Sequence, residues 1–338
     1  MRLATLFLAL VVVADASAAQ LSLPTYITED RPVPSRQIVL AAEALDGAVW
    51  FVWTDAALKS GVSVARQPIP LDEQSVITTA PVDAVAATFP LLAWIQNGDV
   101  FATLVDRDGK PIGDLIHFGN YPGATDIAVT QTFAHFSIVW NSGSKLIHAD
   151  VDGNGHVVGT PVIDDVGRAV RRVGIASNGT NILTVWEADG HIYANGVEVA
   201  NGRDPFIASN GFEYLLAWSD AGVHLQRFGV DGSRNGNPIV LTDEGETPRV
   251  VWDGSGWDVG YLTPLLYHGI PQSEALSIVR VDRNLVTVET LTPFAIANVF
   301  NFCLAARNAE VVVARQEYWI EAQYAPVDPP AIRRRPSH

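Results

Sequence analysis

Apolar and polar positions recur along this chain at a fixed interval. Six apolar runs end in Trp or Tyr and pass into a short polar loop: AVWFVW ending at Trp53, LLAW at Trp94, HFSIVW at Trp140, NILTVW at Trp186, EYLLAW at Trp218 and WDVGY at Tyr261. A seventh run, EVVVAR, ends at Arg315. From position 53 to 315 the six intervals average about 44 residues, the length of one sheet-forming repeat unit.

Each unit divides into the same four predicted strands. The first is short and rich in small residues: VLAA (39–42), AVAA (84–87), IAV (127–129), GIAS (174–177), FIAS (206–209), VVW (250–252) and CLAA (303–306). A tight turn follows, as at Asn178-Gly179, Asn210-Gly211 and Asp253-Gly254, where such pairs supply the positive φ angles of hairpin turns. The aromatic-ended run is the second strand. The third strands include VFATLVD (100–106), LIHADVD (146–152) and, in the last unit, WIEAQYAPVD (319–328). A fourth follows, such as SVITT (75–79) or PIVL (238–241). A four-stranded sheet with two apolar faces cannot bury both alone. Seven copies packed around an axis can, so the pattern predicts an all-β, seven-bladed β-propeller. The last unit lacks a fourth strand after Asp328, and LPTYI (23–27) precedes the first unit. The expectation is that Leu23 to Ile27 pairs with the third strand of the last blade, completing it and closing the ring without a free edge.

The unit A-S-N-G-x-x-x-L-x-x-W, followed by a third strand ending V-D, resembles repeats of exported bacterial β-propeller proteins of uncharacterised function, with the architecture of the WD40-like superfamily. The resemblance spans nearly the whole chain after residue 19, but it lies in fold-forming residues. It implies a propeller and a bacterial source and carries no catalytic residues.

Residues 1–19 read as a secretory signal peptide. Arg2 gives the positive start, Leu3 to Val13 the apolar centre and Ala16-Ser17-Ala18 the small-residue cleavage site. That apolar stretch is too short to span a bilayer. The propeller then occupies 20–328, and 329–338 is a basic, Pro-rich tail expected to be disordered. The expected product is secreted or periplasmic, monomeric and not inserted in a membrane. Cys303, the only cysteine, lies in an apolar run and reads as a buried thiol. The net charge is −15, and without Arg333, Arg334 and Arg335 the body is nearer −18. Nucleic acid is thereby disfavoured as a partner.

Few motifs rise above the repeat. Asp72, Asp106, Asp152, Asp231, Asp282 and Asp328 follow or end third strands, where Asp is favoured because its carboxylate bonds turn amides. Asp150, Asp152 and Asn154 match the start of a calcium loop, but the twelfth position is Pro161 rather than Glu. No cofactor is expected apart from this weak calcium site. Histidines show no zinc spacing, and neither a nucleophile elbow nor a phosphate loop is present.

One set of charged and polar residues stands just before the first strands: Arg36, Asp83, Asp126, Arg172, Asp204, Arg249 and Asn301. In a propeller this position lies at one mouth of the channel. There the residues could bind a polar ligand or simply pair from blade to blade. An apolar insertion in the sixth unit, with Leu266 and Tyr267, is a candidate contact patch. The expected function is a non-catalytic binding or scaffold module for a protein, peptide or glycan. The alternative is a glycoside hydrolase or polysaccharide lyase using Asp83, Asp126 and Asp204. That reading needs two carboxyl groups at catalytic separation. Acids each paired to an Arg count against it.

Overall fold

The computed structural model describes residues 5–13, 25–26, 31–32, 40–45, 48–55, 60–67, 75–267, 270–294, 299–307 and 310–319, with side chains chiefly over 75–264 and 274–290. The described residues form strands and turns only, and no helix among them is long and apolar enough to cross a membrane.

Six sheets are four-stranded antiparallel meanders whose strands pair in chain order. Sheet 1 spans Leu40–Leu45 to Ser75–Thr78 and sheet 2 spans Ala84–Thr88 to Pro111–Asn120. Sheet 3 comprises Ile127–Gln131, Phe136–Ser142, Lys145–Val151 and Val157–Asp165. Sheet 4 comprises Val170–Ser177, Ile182–Ala188, His191–Ala194 and Val197–Asn201. Sheet 5 runs from Arg203–Ser209 to Arg234–Thr242, and sheet 6 from Glu246–Trp252 to Thr287–Phe294. Sheet 7 joins the chain ends: Val299–Arg307, Glu310–Trp319 and Thr5–Val13, with Thr25–Tyr26 and Arg31–Pro32 both on the far side of Thr5–Val13. The first strand of each sheet lies beside the first strand of the next in chain order, and that of sheet 7 lies beside that of sheet 1. This is a propeller arrangement, in which each sheet covers its faces with its two neighbours.

The core has the predicted form. Trp94, Trp140, Trp186 and Trp218 lie near the ends of second strands, Tyr261 lies within the longer Trp257–Tyr267, and all five are buried. They pack in clusters that bridge adjacent sheets; Trp140, for example, sits with Leu91 and Ile95 of sheet 2. First strands are crowded. A Cβ on Gly174 would stand 3.0 Å from Val185, which explains the small residues there.

Two local expectations are refined. Asp106, Asp152, Asp231 and Asp282 each accept backbone N–H bonds from their own turns, at 2.8–3.0 Å. Asp72 and Asp328 lie outside the described residues. At Asn178-Gly179 and Asn210-Gly211 only the glycine has positive φ. The Asn side chains instead accept bonds from the two amides beyond the glycine. The left-handed pairs stand elsewhere, at Asn97-Gly98, Asp189-Gly190 and Asn195-Gly196, as two-residue hairpins require.

The closing strand differs from expectation. Thr5–Val13, read as signal peptide, pairs along its whole length with Val311 to Trp319. Thr25–Tyr26 then pairs with Ala9 and Leu10, rather than with a strand drawn from 319–328. The Val- and Leu-rich segment has the strand propensity and apolar faces that an inner sheet position needs. Residues 320–328, and the tail 329–338, lie outside the described residues.

Candidate functional site

The predicted mouth residues sit where first strands begin, and the backbone there is irregular. Pairing skips a register between Val170 and Arg172, between Arg203 and Phe206, between Glu246 and Arg249, and between Val299 and Asn301. Each skip is a β-bulge, which re-aims side chains. Two are occupied by non-glycine residues at positive φ, Asp204 at 53° and Thr247 at 51°. A β-branched residue in that region is an outlier. Both precede proline (Pro205, Pro248), which has no N–H to give the ladder. The bulges shift the frame in sheet 6. Ile127 opposes Trp140 and Val173 opposes Trp186, whereas Arg249 opposes Gly260. The counterpart of Asp126, Arg172 and Asp204 in sheet 6 is therefore Thr247, and Arg249 stands farther in.

The structure joins three of the predicted residues directly. Arg172 Nη1 is 3.8 Å from Asp126 Oδ1, and its Nε is 3.4 Å from Asp204 Oδ1. Asp126 Oδ2 also accepts the N–H of Val173 in the next sheet at 2.8 Å. Asp204 donates its N–H to Glu187 Oε2 at 3.0 Å. The chain of charge continues through Arg203, 3.9 Å from Asp204 and 2.5 Å from Glu246. Sheets 3 to 6 are thus tied by one alternating line of acids and bases. The Arg172 side chain is 54% exposed while Asp126 is only 18% exposed. Burial pushes the Asp126 carboxyl up to about 6, against the pull of Arg172 and of its amide bonds.

Arg249 is the other charge in this region. Its guanidinium lies 5.1 Å over the Phe206 ring and 6.0 Å from that of Phe302, and it donates to the carbonyl of Pro248 at 2.9 Å. Burial and the nearby Arg172 lower its pKa, while Asp204 and Asp126 oppose them. It has no carboxylate within 4 Å among the described residues.

The remaining predicted residues are not brought into this line. Asp83 is exposed and accepts the amide of Asn97 at 2.9 Å. Arg36 lies outside the described residues, as do the side chains of Asn301, Leu266 and Tyr267. The latter two stand at the tip of the long hairpin of Trp257–Tyr267 and Ile270–Val281. For the calcium candidate, Asp150 accepts Ser137 Oγ at 2.6 Å, and Asp152 is bonded to the amides of Asn154 and His156. Among the described residues no group of three or more His, Cys, Asp or Glu side chains is placed to hold a metal.

Sequence reasoning missed Glu187, Arg203, Glu246 and Glu274. Glu187 follows Trp186 on its second strand and is 6% exposed. Glu274 is pushed up to about 7 by burial and by a hydrogen bond with the Glu246 carboxyl. No sequence signal marks it, since it falls between the sixth-unit insertion and the third strand at 276–282 and the partner strand must be known before the pair can be seen.

No family model matches the chain, and no curated protein sequence matches it. Solved structures are similar in fold. A protein from Lactobacillus plantarum is 10% identical, with 92% of this chain and 99% of that chain covered and a TM-score of 0.51. Apo AztD from Citrobacter koseri is 11% identical, with 92% and 98% covered and a TM-score of 0.50. The Dos1 propeller is 11% identical, with 79% and 74% covered and a TM-score of 0.47. At such identities the likeness of the first two is one of fold.

Proposed function

We propose that this chain is an exported bacterial β-propeller of seven blades that acts as a non-catalytic binding module. Its partner is a protein, peptide or glycan engaged at the mouth face. Seven blades are supported by the first strands, which follow one another from sheet 1 to sheet 7 and back to sheet 1. Export is supported by the leader-like residues 1–19. In the exported form the place beside Glu310–Trp319 must be refilled, and 319–328 is the segment the repeat offers. N-terminal sequencing of the exported protein is expected to start near Gln20. A start at Met1 overturns this part of the reading.

The observation that carries the binding role is the state of the mouth acids. Asp126 and Asp204 share one guanidinium, Arg172, instead of facing each other as a free carboxylate pair. Paired acids hold a rigid, partly exposed charged surface, while Arg249 keeps donors for an acceptor on the partner. The test is a glycan and peptide array probed with the exported chain, then with the Asp126→Asn/Asp204→Asn double variant. Binding without turnover, weakened about tenfold in the double variant, is expected. Glycan hydrolysis lost in that variant overturns it.

One observation favours the hydrolase or lyase reading. Glu246 and Glu274 stand on strands that both pair with Trp257–Tyr267, and burial together with the neighbouring Glu246 carboxyl holds the Glu274 carboxyl up to about 7, as a general acid requires. Turnover abolished by Glu274→Gln is the result that reading demands.

A further inference from the structure

The radial arrangement leaves gaps between the outer parts of neighbouring sheets, and two have the same build. Between sheets 1 and 2 a cavity of about 410 Å³ has Trp94 and Phe101 as its floor. These rings stack at 5.6 Å and 25°. Between sheets 3 and 4 a cavity of about 560 Å³ has Trp186 and Tyr193 in the equivalent places, stacked at 5.5 Å and 14°. Both pairs are direct cross-strand partners. The gap is therefore a product of the repeat. What differs is the lining.

The cavity of sheets 1 and 2 is walled by neutral groups, including Ile77, Pro111 and Leu115. That of sheets 3 and 4 is walled by His148, Asp164 and Arg168, with Thr184 and Asn195 beside the rings. Arg168 Nη1 donates to the Tyr193 hydroxyl, and its guanidinium lies 5.6 Å over the Tyr193 ring. The fork is thereby fixed with further N–H groups to give. Asp164 also lines the cavity, four residues earlier, yet the two do not pair within 4 Å, and the Asp164 carboxylate, which acts on His148 through its charge, accepts no hydrogen bond among the described residues. Burial holds His148 below its ordinary pKa, so its neutral ring offers one donor and one acceptor.

We propose that the cleft between sheets 3 and 4 binds an acidic sugar, a hexuronate. Arg168 takes the carboxylate as a fork, which suits a planar oxyanion. Asp164, His148 and Asn195 take ring hydroxyls. The flat Trp186–Tyr193 floor receives the apolar face of the pyranose. The acid in the same cavity argues against a bare inorganic anion. The neutral donors and acceptors favour a polyhydroxylated ligand over an amino acid. The cavity size falls in the range of ~300–1,000 Å³ typical of small-molecule sites. This cavity shares no lining residue with the charge line of Asp126, Arg172 and Asp204 and does not depend on the binding role proposed there.

The test is calorimetric titration of the full chain with glucuronate, galacturonate, glucose, galactose and glutamate. A uronate is expected to bind in or below the millimolar range, at least tenfold tighter than the neutral sugars and glutamate. Arg168→Met is expected to weaken it about tenfold, and Arg168→Lys to restore only part, because charge returns without the fork. Asp164→Asn, a change at an exposed position, is expected to weaken it several-fold with an unchanged melting temperature, and it carries the test should the Arg168 variants fail to fold. Asp126→Asn/Asp204→Asn is expected to leave uronate binding intact, which separates this site from the mouth. No uronate heat at ~10 mM, tighter binding of glutamate or a neutral sugar, or undiminished binding by the folded variants overturns the proposal.

Discussion

The two ends of the first strands solve the same problem by different means. At the end where three of them pass into their second strands, a polar side chain first serves its own turn. Asn178, Asn210 and Asp253 each accept bonds from amides two and three residues ahead, at 2.7–3.1 Å. At the starting end, the polar side chains reach to another sheet. Asp126 takes an amide from Val173, and Arg172 lies between Asp126 and Asp204. Local bonds fix the turn, and where the turn residue is Asn they leave no charge over. Long-range bonds fix sheet to sheet and leave charges on a shared surface. The second kind is where a partner can compete.

The sharpest way to break this contrast lies at the turn end of sheet 6. There Asp253 and Asp258 are buried beside Arg280, whose Nη2 is 2.5 Å from Asp253 and whose Nε is 3.1 Å from Asp258. The Asp253 contact is close but not aligned as a hydrogen bond. Burial pushes Asp258 up to about 6 even with Arg280 in place. Arg280→Met strands both carboxyls and is expected to cost ~3–5 kcal/mol, read from the denaturant midpoint. A loss under about 1 kcal/mol would mean that this end is no more tightly held than an exposed ion pair.

Asp126 gives the next largest effect, with the opposite sign at neutral pH. Its carboxyl is raised from 3.8 to about 6 in the fold. Between those values the native state binds more protons than the unfolded chain, so stability is lost as pH rises through the window. Asp126→Asn keeps the acceptor for Val173 and removes the charge. It is expected to gain about 1–2 kcal/mol at pH 7.5 and nothing below pH 4. Urea unfolding of both proteins across pH 3.5–7.5 reads this (roughly the titration window). Parallel curves would refute the burial account.

Legibility in the sequence follows the same divide. The strands, their order, the buried tryptophans and the turn acids are visible because each depends on residues a few positions apart. The line through Arg172 was half visible. Asp126, Arg172 and Asp204 stand at the start of their first strands in sequence and in the fold alike, whereas the bulge before Arg249 puts Thr247 at that place in sheet 6. A bulge adds one residue to one strand, and nothing but the following proline marks it. Glu246 and Glu274 meet through pairing with Leu262 and Pro264, so no spacing rule finds them. The leader-like segment shows the converse. Its apolar composition serves export and strand formation alike, and composition does not choose between them.

At the turn end, Asn178→Ala sharpens the comparison. Asn178 is 8% exposed, and besides its two turn amides it donates Nδ2 to the carbonyl of Val230 at 2.9 Å. Removing it leaves amides unserved and is expected to cost about 1 kcal/mol, measured by chemical denaturation. No loss would show that solvent replaces these bonds freely.

The smallest expected change in stability comes from Arg172→Met. This side chain is more than half exposed and its two ion pairs are 3.4 and 3.8 Å long. Such contacts are worth at most ~1 kcal/mol, so the melting temperature should barely move. The variant acts elsewhere. Arg172 is the largest influence that lowers the Asp126 pKa against burial, and without it the Asp126 carboxyl should titrate above its present value of about 6. Carbon-13 NMR of the Asp126 carboxyl in both proteins reads that shift directly. An unmoved titration with an unmoved melting temperature would mean that Arg172 does not bear on Asp126, and the line of charge across sheets 3 to 5 would then be two separate surface contacts. A titration moved upward, with stability preserved, is what a mouth built to present charge rather than to hold the fold requires.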